Sequence, residues 1–511
     1  MHKGLMAGLA VAGVLGAGTI SGYFYIEDQV HAAVQTAFTE TLPALPIVES
    51  AGYDSYDVDL LGNTASFQNV RMVMDLAALP EQLETLPPGV SLAGDFNMAY
   101  ETVVVKGIWA LVLGGQKVEH IDVGASKLSG TMIQTIEKPD TVQVDGKEYV
   151  GEDNPVQRAT ISMRMNGTLG GGTVDGLDLS TLQDPAVMSH MNLGADRYAF
   201  ENMIISMTAE TQIEAPSTAP DGASPMPRTL PAFDMEMAVA RMVGENISPT
   251  YYGLASYENA TVIIIPKEDG DTPLRFKIGE MRMSDTKMVN YQPVRMTMEL
   301  KDMVFDSAQI TEPRALAVMG ILGIDDINLN MKVSYDYDVA QQTLKLQPLR
   351  LGLKQAGSAE VAFNLVNVPD LQVFQDIQGM QGEPEKIKAT LENAFKDIAL
   401  DEVALGYTDD GVLKKFLALQ AGQMNATPEQ MAQAFAAQGA QIVGAALGDV
   451  EAAATQEVLA QFLSDPDAIR IQLKAKLPVK IEELVQDIQV HGPGALKNFQ
   501  FDITGGAAAS H

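Results

Sequence analysis

The stretch "ASFQNVRMVM" at residues 65–74 contains a short pattern that the chain writes three times. An aromatic residue is followed by Glu or Gln, then by Asn, and then by a run of apolar residues. The pattern returns in "YAFENMIISM" at residues 198–207 and in "ASYENATVIII" at residues 255–265. Aromatic and β-branched residues favour strands, and Asn accepts a bent backbone. Chance is one explanation; we favour a common architecture, in which each copy starts an equivalent strand.

Polar and apolar residues alternate on both sides of this pattern. Tyr56 and Val58 alternate with aspartates before the turn "GNT", which predicts a hairpin with one apolar face. Strand signals continue to about residue 310, and a meander of three or four strands is predicted over residues 326–368. The glycine-rich "GTLGGG" at residues 167–172 is predicted to be a turn or bulge and not a phosphate loop.

Helical signals dominate the region after this meander. Thr427, Pro428 and Gln430 fit the N-cap, the first helical position and the closing residue of a capping box. Asp409 or Asp410 is predicted to cap another helix that starts at Gly411, in preference to forming a calcium loop.

The sequence therefore predicts an α+β fold that is mainly antiparallel β. It has an N-terminal transmembrane helix, an elongated twisted β-sheet region, and a C-terminal helical segment with returning strands. The predicted segments are a membrane anchor or signal peptide at 1–26, a first β-rich region at 27–212, a Pro-rich loop at 213–232, a second β-rich region at 233–380, a helical region at 381–465, and C-terminal strands with a loose tail at 466–511.

The N-terminal segment predicts attachment to a membrane. Residues 4–25 are 22 residues without a charge, with Lys3 before them and Glu27 and Asp28 after them. As a helix they would span about 33 Å, which is enough to cross a bilayer. The basic end favours a cytoplasmic start, with the remainder outside. A cleaved signal peptide is the alternative. We favour an uncleaved, single-pass anchor in a bacterial inner membrane, with the bulk of the chain periplasmic.

Composition bounds the chemistry of the chain. Lys and Arg number 34, Asp and Glu number 66, and the formal net charge is −32, which argues against nucleic-acid binding. The absence of cysteine excludes disulfides, thiolate zinc sites and a cysteine nucleophile. The six histidines lack metal-ligand spacing, so surface or structural roles are predicted for them. Catalytic motifs such as HExxH and GxSxG do not occur. We expect no cofactor, no metal and no enzymatic activity.

Methionine is the unusual residue of this sequence, with 27 copies. Several lie two residues apart on predicted strands, so that each pair presents two thioethers on one face. Methionine is flexible and polarizable, and it suits surfaces that accept irregular apolar partners such as acyl chains. We favour an ordinary β-sheet core, and a lipid-contacting groove is the alternative. The residues of the candidate apolar groove are Met163, Met165, Met235, Met237, Met281, Met283, Met296 and Met298.

The anchor followed by "AGYDSYDVDLLGNTASFQNVRM", and the later "LGIDDINLNMKVSYDYDVAQQTLKL", resemble proteobacterial envelope proteins of the AsmA-related and YdgA-type families. The segment "IALDEVALGYTDDGVLKKFLALQA" is similar to them in style. This resemblance implies an inner-membrane protein with a long, mainly antiparallel periplasmic β-structure. In AsmA-type relatives such sheets are associated with phospholipid handling or outer-membrane homeostasis. The family motif names no functional residues.

Three functions follow as hypotheses. The first is a non-enzymatic, membrane-anchored periplasmic protein that maintains the envelope and binds phospholipid through an apolar β-groove. The second is a structural or assembly factor that binds another envelope protein, for example by strand addition at a sheet edge. The third, which we favour least, is a carboxylate-dependent hydrolase.

Overall fold

The structure is a computed structural model that describes most of the chain after residue 47. The described residues are 35, 39, 48–59, 62–75, 90–108, 117–139, 141–144, 147–150, 156–178, 194–214, 232–267, 272–289, 292–306, 309–310, 312–324, 326–370, 373 and 384–506. The predicted anchor at residues 1–26 lies outside these ranges, as do residues 215–231 of the predicted Pro-rich loop. Within the ranges, no helix combines the length and the apolar character needed to cross a bilayer.

The chain forms two compact units, Met1–Arg275 and Phe276–His511, which we call the N-terminal and C-terminal units. The N-terminal unit consists mainly of antiparallel strands, and the C-terminal unit combines an antiparallel sheet with helices. The prediction of a mainly antiparallel β chain is confirmed. The domain boundaries given by the sequence stay predictions. The strands of the N-terminal unit are β1 (Val48–Gly52), β2 (Ser55–Asp59), β3 (Thr64–Asp75), β4 (Val90–Lys106), β5 (Lys117–Val123), β6 (Ser126–Pro139), β7 (Thr141–Val144), β8 (Lys147–Val150), β9 (Val156–Leu169), β10 (Gly171–Asp178), β11 (Ala195–Glu214), β12 (Phe233–Ser248) and β13 (Tyr251–Pro266).

The main sheet of this unit follows the order of the chain. β1 and β2 both pair with β3, and β3 pairs with β4. β4 pairs with β6 and then with β5, which pair in turn with β9 and β10. β11 pairs with both β9 and β10, and β12 and β13 follow. β5 and β6 follow each other end to end and keep one register against β4, and β9 and β10 do the same against β11. Each of these two segments is therefore one long strand with a short interruption. β7 and β8 form a separate hairpin.

One transverse row of the sheet passes through these interruptions and contains the Asn of all three repeated patterns. The residue pairs on either side of the row fix its members, which are Asp54, Asn69, Glu101, Ala125, Gly170, Asn202, Ala240 and Asn259. Asn69, Asn202 and Asn259 all have a left-handed backbone, with φ of 51°, 52° and 51°. A Cβ on Gly170 would lie 3.0 Å from that of Asn202, so a glycine suits this crowded position.

The left-handed Asn residues shift the alternation of buried side chains by one position. In β3, Ala65 and Phe67 are buried before Asn69, whereas Val70 and Met72 are buried after it. An uninterrupted strand would turn one of these two halves toward solvent, because its side chains alternate strictly. The aromatic and the apolar halves of the pattern therefore pack into the same core.

The prediction that Asn accepts a bend is confirmed by these backbone angles. The prediction that the pattern starts a strand is wrong, since each copy lies inside its strand and the strand continues through the bend. Residues 167–172, predicted to be a turn or a bulge, do not form a turn: they belong to β9 and β10, with a local interruption of the strand at Gly170.

The C-terminal unit also pairs its strands in chain order, from β14 to β21. Its strands are β14 (Leu274–Val289), β15 (Gln292–Phe305), β16 (Ile327–Asp338), β17 (Thr343–Leu353), β18 (Gly357–Val366), β19 (Ala399–Asp409), β20 (Ala468–Lys480) and β21 (Phe499–Gly505). The helices between them are α1 (Pro313–Leu322), α2 (Pro384–Phe395), α3 (Val412–Met424), α4 (Pro428–Leu447), α5 (Asp449–Ser464) and α6 (Ile481–His491), and a 3-10 helix follows (Gly492–Asn498).

The helix starts of this unit agree closely with the sequence. Thr427 and Gln430 form the predicted capping box of α4, with Pro428 in the first turn. The carboxylate of Asp409 accepts hydrogen bonds from the backbone N–H groups of Gly411 and Leu413, at 2.7 and 3.0 Å. α3 begins one residue later than predicted, because Gly411 has a left-handed φ of 99° and is the cap residue.

The three left-handed Asn residues of the transverse row lead to a prediction about stability. The change Asn202→Val places a β-branched side chain in the left-handed region, so we expect it to lower the free energy of unfolding by roughly 1–2 kcal/mol. Asn202→Gly removes that strain and is expected to cost less. Chemical denaturation of the full chain measures both values. Ser206→Val, at an exposed position of the same strand, is the control; an equal loss there would contradict the explanation.

Candidate functional site

The sheet of the C-terminal unit carries apolar side chains along one face. Directly opposed residues of antiparallel strands project to the same side, so the strand register defines transverse rows. The first row is Met281, Leu300, Met331, Leu351, Ala359, Tyr407 and Ile469. The second is Met283, Met298, Val333 and, beyond a bulge in β17, Leu349, Val361, Leu405, Ile471 and Ile503. The third is Met296, Tyr335, Leu346, Phe363, Val403, Leu473 and Phe501. We call these rows the apolar face.

The opposite side of the same sheet is charged and ion-paired. Lys332 Nζ lies 2.7 Å from Glu299 Oε1, and Lys301 Nζ lies 2.7 Å from Glu280 Oε2. The hydrogen bond from Lys332 lowers the pKa of the Glu299 carboxyl. Exposed pairs of this kind add little stability, so their main significance is that this side faces water. The sheet is therefore amphipathic across its width.

Helices cover only part of the apolar face. Phe462, Val458 and Leu459 of α5 pack against Ile469 and Ile503, at the end formed by β20 and β21. This cluster buries the outermost members of the rows. The helix therefore closes the face at its C-terminal strands.

The remaining part of the apolar face stays accessible. The methionines of β14 and β15 are only partly buried. Leu351 is 52% exposed and Leu405 is 50% exposed, although both lie within apolar rows. Contiguous apolar surface of this kind marks an interaction site, whereas single exposed apolar residues are ordinary.

Four of the eight predicted methionines lie together on this face. Met283 is opposite Met298, and Met281 is opposite Leu300. Met296 is opposite Tyr335 in the next strand. The two-residue spacing of these methionines therefore predicts correctly that each pair shares one face of its strand, β14 or β15.

The other four lie in the N-terminal unit, on β9 and β12. Met165 and Met235 are both opposite Met207 of β11, which lies between them and joins them into one row. They are partly buried, and Met165 packs against the core of this unit. Met72 and Met74 have the same spacing of two residues but are not among the eight methionines of the candidate groove. They are fully buried core residues, so this spacing alone does not separate core from surface.

A shallow concavity of about 430 Å³ lies across β3, β4, β6 and β9 of the N-terminal unit. Its lining includes Met72, Met98 and Leu128 together with Arg71 and Lys127. Both cations are exposed, and Arg71 pairs with Asp54 at 2.8 Å. The concavity lies next to the transverse row that contains Asn69 and Gly170, where the strands bend.

Comparison with known proteins adds one match. A family model described as an uncharacterised protein matches residues 350–504. The matched segment runs from β17 to β21 and includes both Leu351 and Leu405. None of the curated proteins compared with the chain matches it.

His120 is the histidine of the described residues with the most charged surroundings. Its Nδ1 contacts Asp175 Oδ1 and its Nε2 lies 2.9 Å from Asp122 Oδ1. Burial disfavours the charged ring, but the two carboxylates outweigh it and raise the pKa of His120. Lys106 lies 2.9 Å from Asp122 on the other side. This cluster supports the predicted structural role, since each ring nitrogen has a carboxylate partner.

The His120 cluster predicts a dependence of stability on pH. Because the folded-state pKa is raised, the contribution is complete below the unfolded value of about 6.5 and is lost as pH rises through the folded value. We expect wild type to lose about 0.5–1 kcal/mol relative to His120→Gln between pH 5.5 and 8.5, a range reduced for partial exposure. Denaturation at several pH values measures this difference. Lys117→Gln, which removes a cation at the start of the same strand, should keep the wild-type slope; a parallel profile for His120→Gln would disprove the coupling.

Proposed function

We propose that the protein is a non-enzymatic, membrane-anchored envelope protein whose apolar face in the C-terminal unit binds the acyl chains of phospholipid. The observation that carries this proposal is the accessible part of the three apolar rows, backed by an ion-paired opposite side. A sheet built this way gains free energy when an apolar ligand covers the rows, at about 25 cal/mol per Å² removed from water. The charged side keeps the same sheet soluble.

The side-chain chemistry of the face suits acyl chains better than a single rigid ligand. Met281, Met283, Met296 and Met298 provide flexible, polarizable thioethers that adapt to irregular apolar shapes. The rows contain few hydrogen-bonding groups; the phenol of Tyr335 is already engaged, donating to the carbonyl of Pro293 at 2.9 Å. A ligand recognised by polar contacts would find few partners there.

The resemblance to AsmA-related and YdgA-type envelope proteins supports the same function. It implies a periplasmic β-structure associated with phospholipid handling. The apolar segment at residues 4–25 supports a single-pass anchor in the inner membrane, with the β-rich units on the periplasmic side. In this arrangement the membrane that holds the anchor supplies the phospholipid.

Site-specific photocrosslinking of the full chain in intact cells tests this function. A benzophenone side chain at position 351 or 405 samples the apolar face, while the same group at position 350 samples the ion-paired side of the same strand. We expect adducts with the mass of phospholipid at 351 and 405 and a much weaker yield at 350, because neighbouring strand residues face opposite sides. Mass spectrometry of the purified adducts measures the outcome.

A charge variant sharpens this test. Leu351→Glu introduces a carboxylate among the apolar rows at a half-exposed position, and we expect it to reduce lipid adducts at 405 severalfold because a buried charge is costly. Gln347→Glu adds the same charge at an exposed position of the same strand and should leave the yield unchanged. Equal yields at 350 and 351 would overturn the proposal. Adducts to one protein, without lipid, would favour the assembly-factor hypothesis.

A further inference from the structure

Methionine provides all the side-chain sulfur of this protein. The chain has 27 methionines and no cysteine. Oxidants that remove two electrons, such as hydrogen peroxide, react with thiolates and thioethers, so in this chain they react at methionine without competition from a thiolate. Which methionines react first depends on how easily the oxidant reaches each sulfur atom.

Four methionines lie side by side on the apolar face, on the paired strands β14 and β15. Met283 and Met298 are directly opposite each other, so their Cβ atoms are about 5 Å apart. Met281 lies in the row on one side of this pair, and Met296 lies in the row on the other side. Residues two apart in a strand project to the same side of the sheet, so all four thioethers share one surface. We call these four residues the methionine patch.

The methionine patch differs from the methionines of the N-terminal core in its access to solvent. All four members of the patch are only partly buried. Met72, Met74 and Met98 of the core are 1%, 3% and 3% exposed. A small oxidant therefore reaches the patch in the folded protein, whereas it reaches the core methionines only when the sheet opens. Met424 of α3, at 66% exposure, is also accessible but lies outside the apolar face.

We propose that the methionine patch is a site of reversible oxidation, and that its oxidation switches off lipid binding at the apolar face. The inference rests on the proposed function, since the ligand affected is the acyl chain. In the reaction a lone pair of the thioether sulfur attacks one oxygen of hydrogen peroxide. The O–O bond breaks, an S–O bond forms, and the second oxygen leaves as water after proton transfer. The sulfur loses two electrons and the peroxide gains them.

A sulfoxide makes the patch polar at the place where an acyl chain would cover it. Its oxygen accepts hydrogen bonds from water in the free protein, and an acyl chain removes that water without offering a donor. The residues opposite β15 on β16 do not replace it: Val333 is apolar, and Tyr335 already donates its hydroxyl to the carbonyl oxygen of Pro293. The cost therefore falls on the lipid-bound state.

Oxidation before lipid binding tests the proposal on the full chain. The purified protein, with a benzophenone side chain at position 405, is treated with hydrogen peroxide, which is then removed with catalase. Peptide mass spectrometry measures the oxygen added to each methionine. The protein is next reconstituted in vesicles of phosphatidylethanolamine and phosphatidylglycerol and irradiated. We expect the patch to be oxidised before Met72, Met74 and Met98, and the yield of phospholipid adduct to fall at least about fivefold.

The control variant replaces all four methionines of the patch with leucine, which nearly keeps their volume and cannot form a sulfoxide. It should give the wild-type adduct yield before and after peroxide, although Met424 is oxidised in both proteins. Treatment of the oxidised wild type with the two methionine sulfoxide reductases, one for each sulfoxide epimer, should restore the yield. This rescue needs no variant, so it decides the proposal even if the leucines disturb the packing.

Three results overturn the proposal. They are an equal loss of adduct in the leucine variant, an unchanged yield after the patch is oxidised, and oxidation of the patch no faster than that of the core methionines. Absence of adducts in the untreated protein contradicts the proposed function itself and removes the switch with it, whereas the three results above leave lipid binding in place.

Discussion

A strand buries the side chains of one face only while its residues alternate strictly between the two faces. The core of the N-terminal unit depends on residues that shift this alternation. Three left-handed Asn residues, aligned on one transverse row, advance the alternation by one position. Phe67 and Val70 illustrate the effect, since both are buried although they are three residues apart. Gly170 on the same row accommodates Asn202. The bend, the continuity of the core and the repeated sequence pattern are thus one feature.

The C-terminal unit differs from the N-terminal unit, because one side of its sheet is charged and the other side is apolar. Pairs such as Lys332 with Glu299 keep the polar side hydrated. The apolar side is closed by α5 near β20 and β21, but Leu351 and Leu405 remain half exposed. The accessible rows depart from the rule that a folded unit hides its apolar surface.

Features set by neighbouring residues could be predicted from the sequence, and features set by distant ones could not. The capping box of Thr427 and Gln430 is local, so the sequence predicts it. The start of α3 was misplaced by one residue because the left-handed angle of Gly411 cannot be read from its neighbours. The spacing of Met281 and Met283 identified a face. The sequence could not show that Leu351 and Leu405 share it, because their rows join eight strands through long-range pairing. Burial of Met72 depends on the same tertiary packing.

The order of the strands has a consequence for how each sheet is made. From β11 to β13 and from β15 to β21, each strand pairs with the one that precedes it in the chain, so its template already exists when the strand is synthesised. The connections from β16 to β17 and from β17 to β18 are short, whereas helices lie between β15 and β16, β18 and β19, β19 and β20, and β20 and β21. Pairing between strands that are close in the chain favours rapid folding. A sheet of this kind can grow from its N-terminal edge, one strand at a time. Its last exposed edge is then the newest strand, which limits the time that any partly formed edge stays open to other chains.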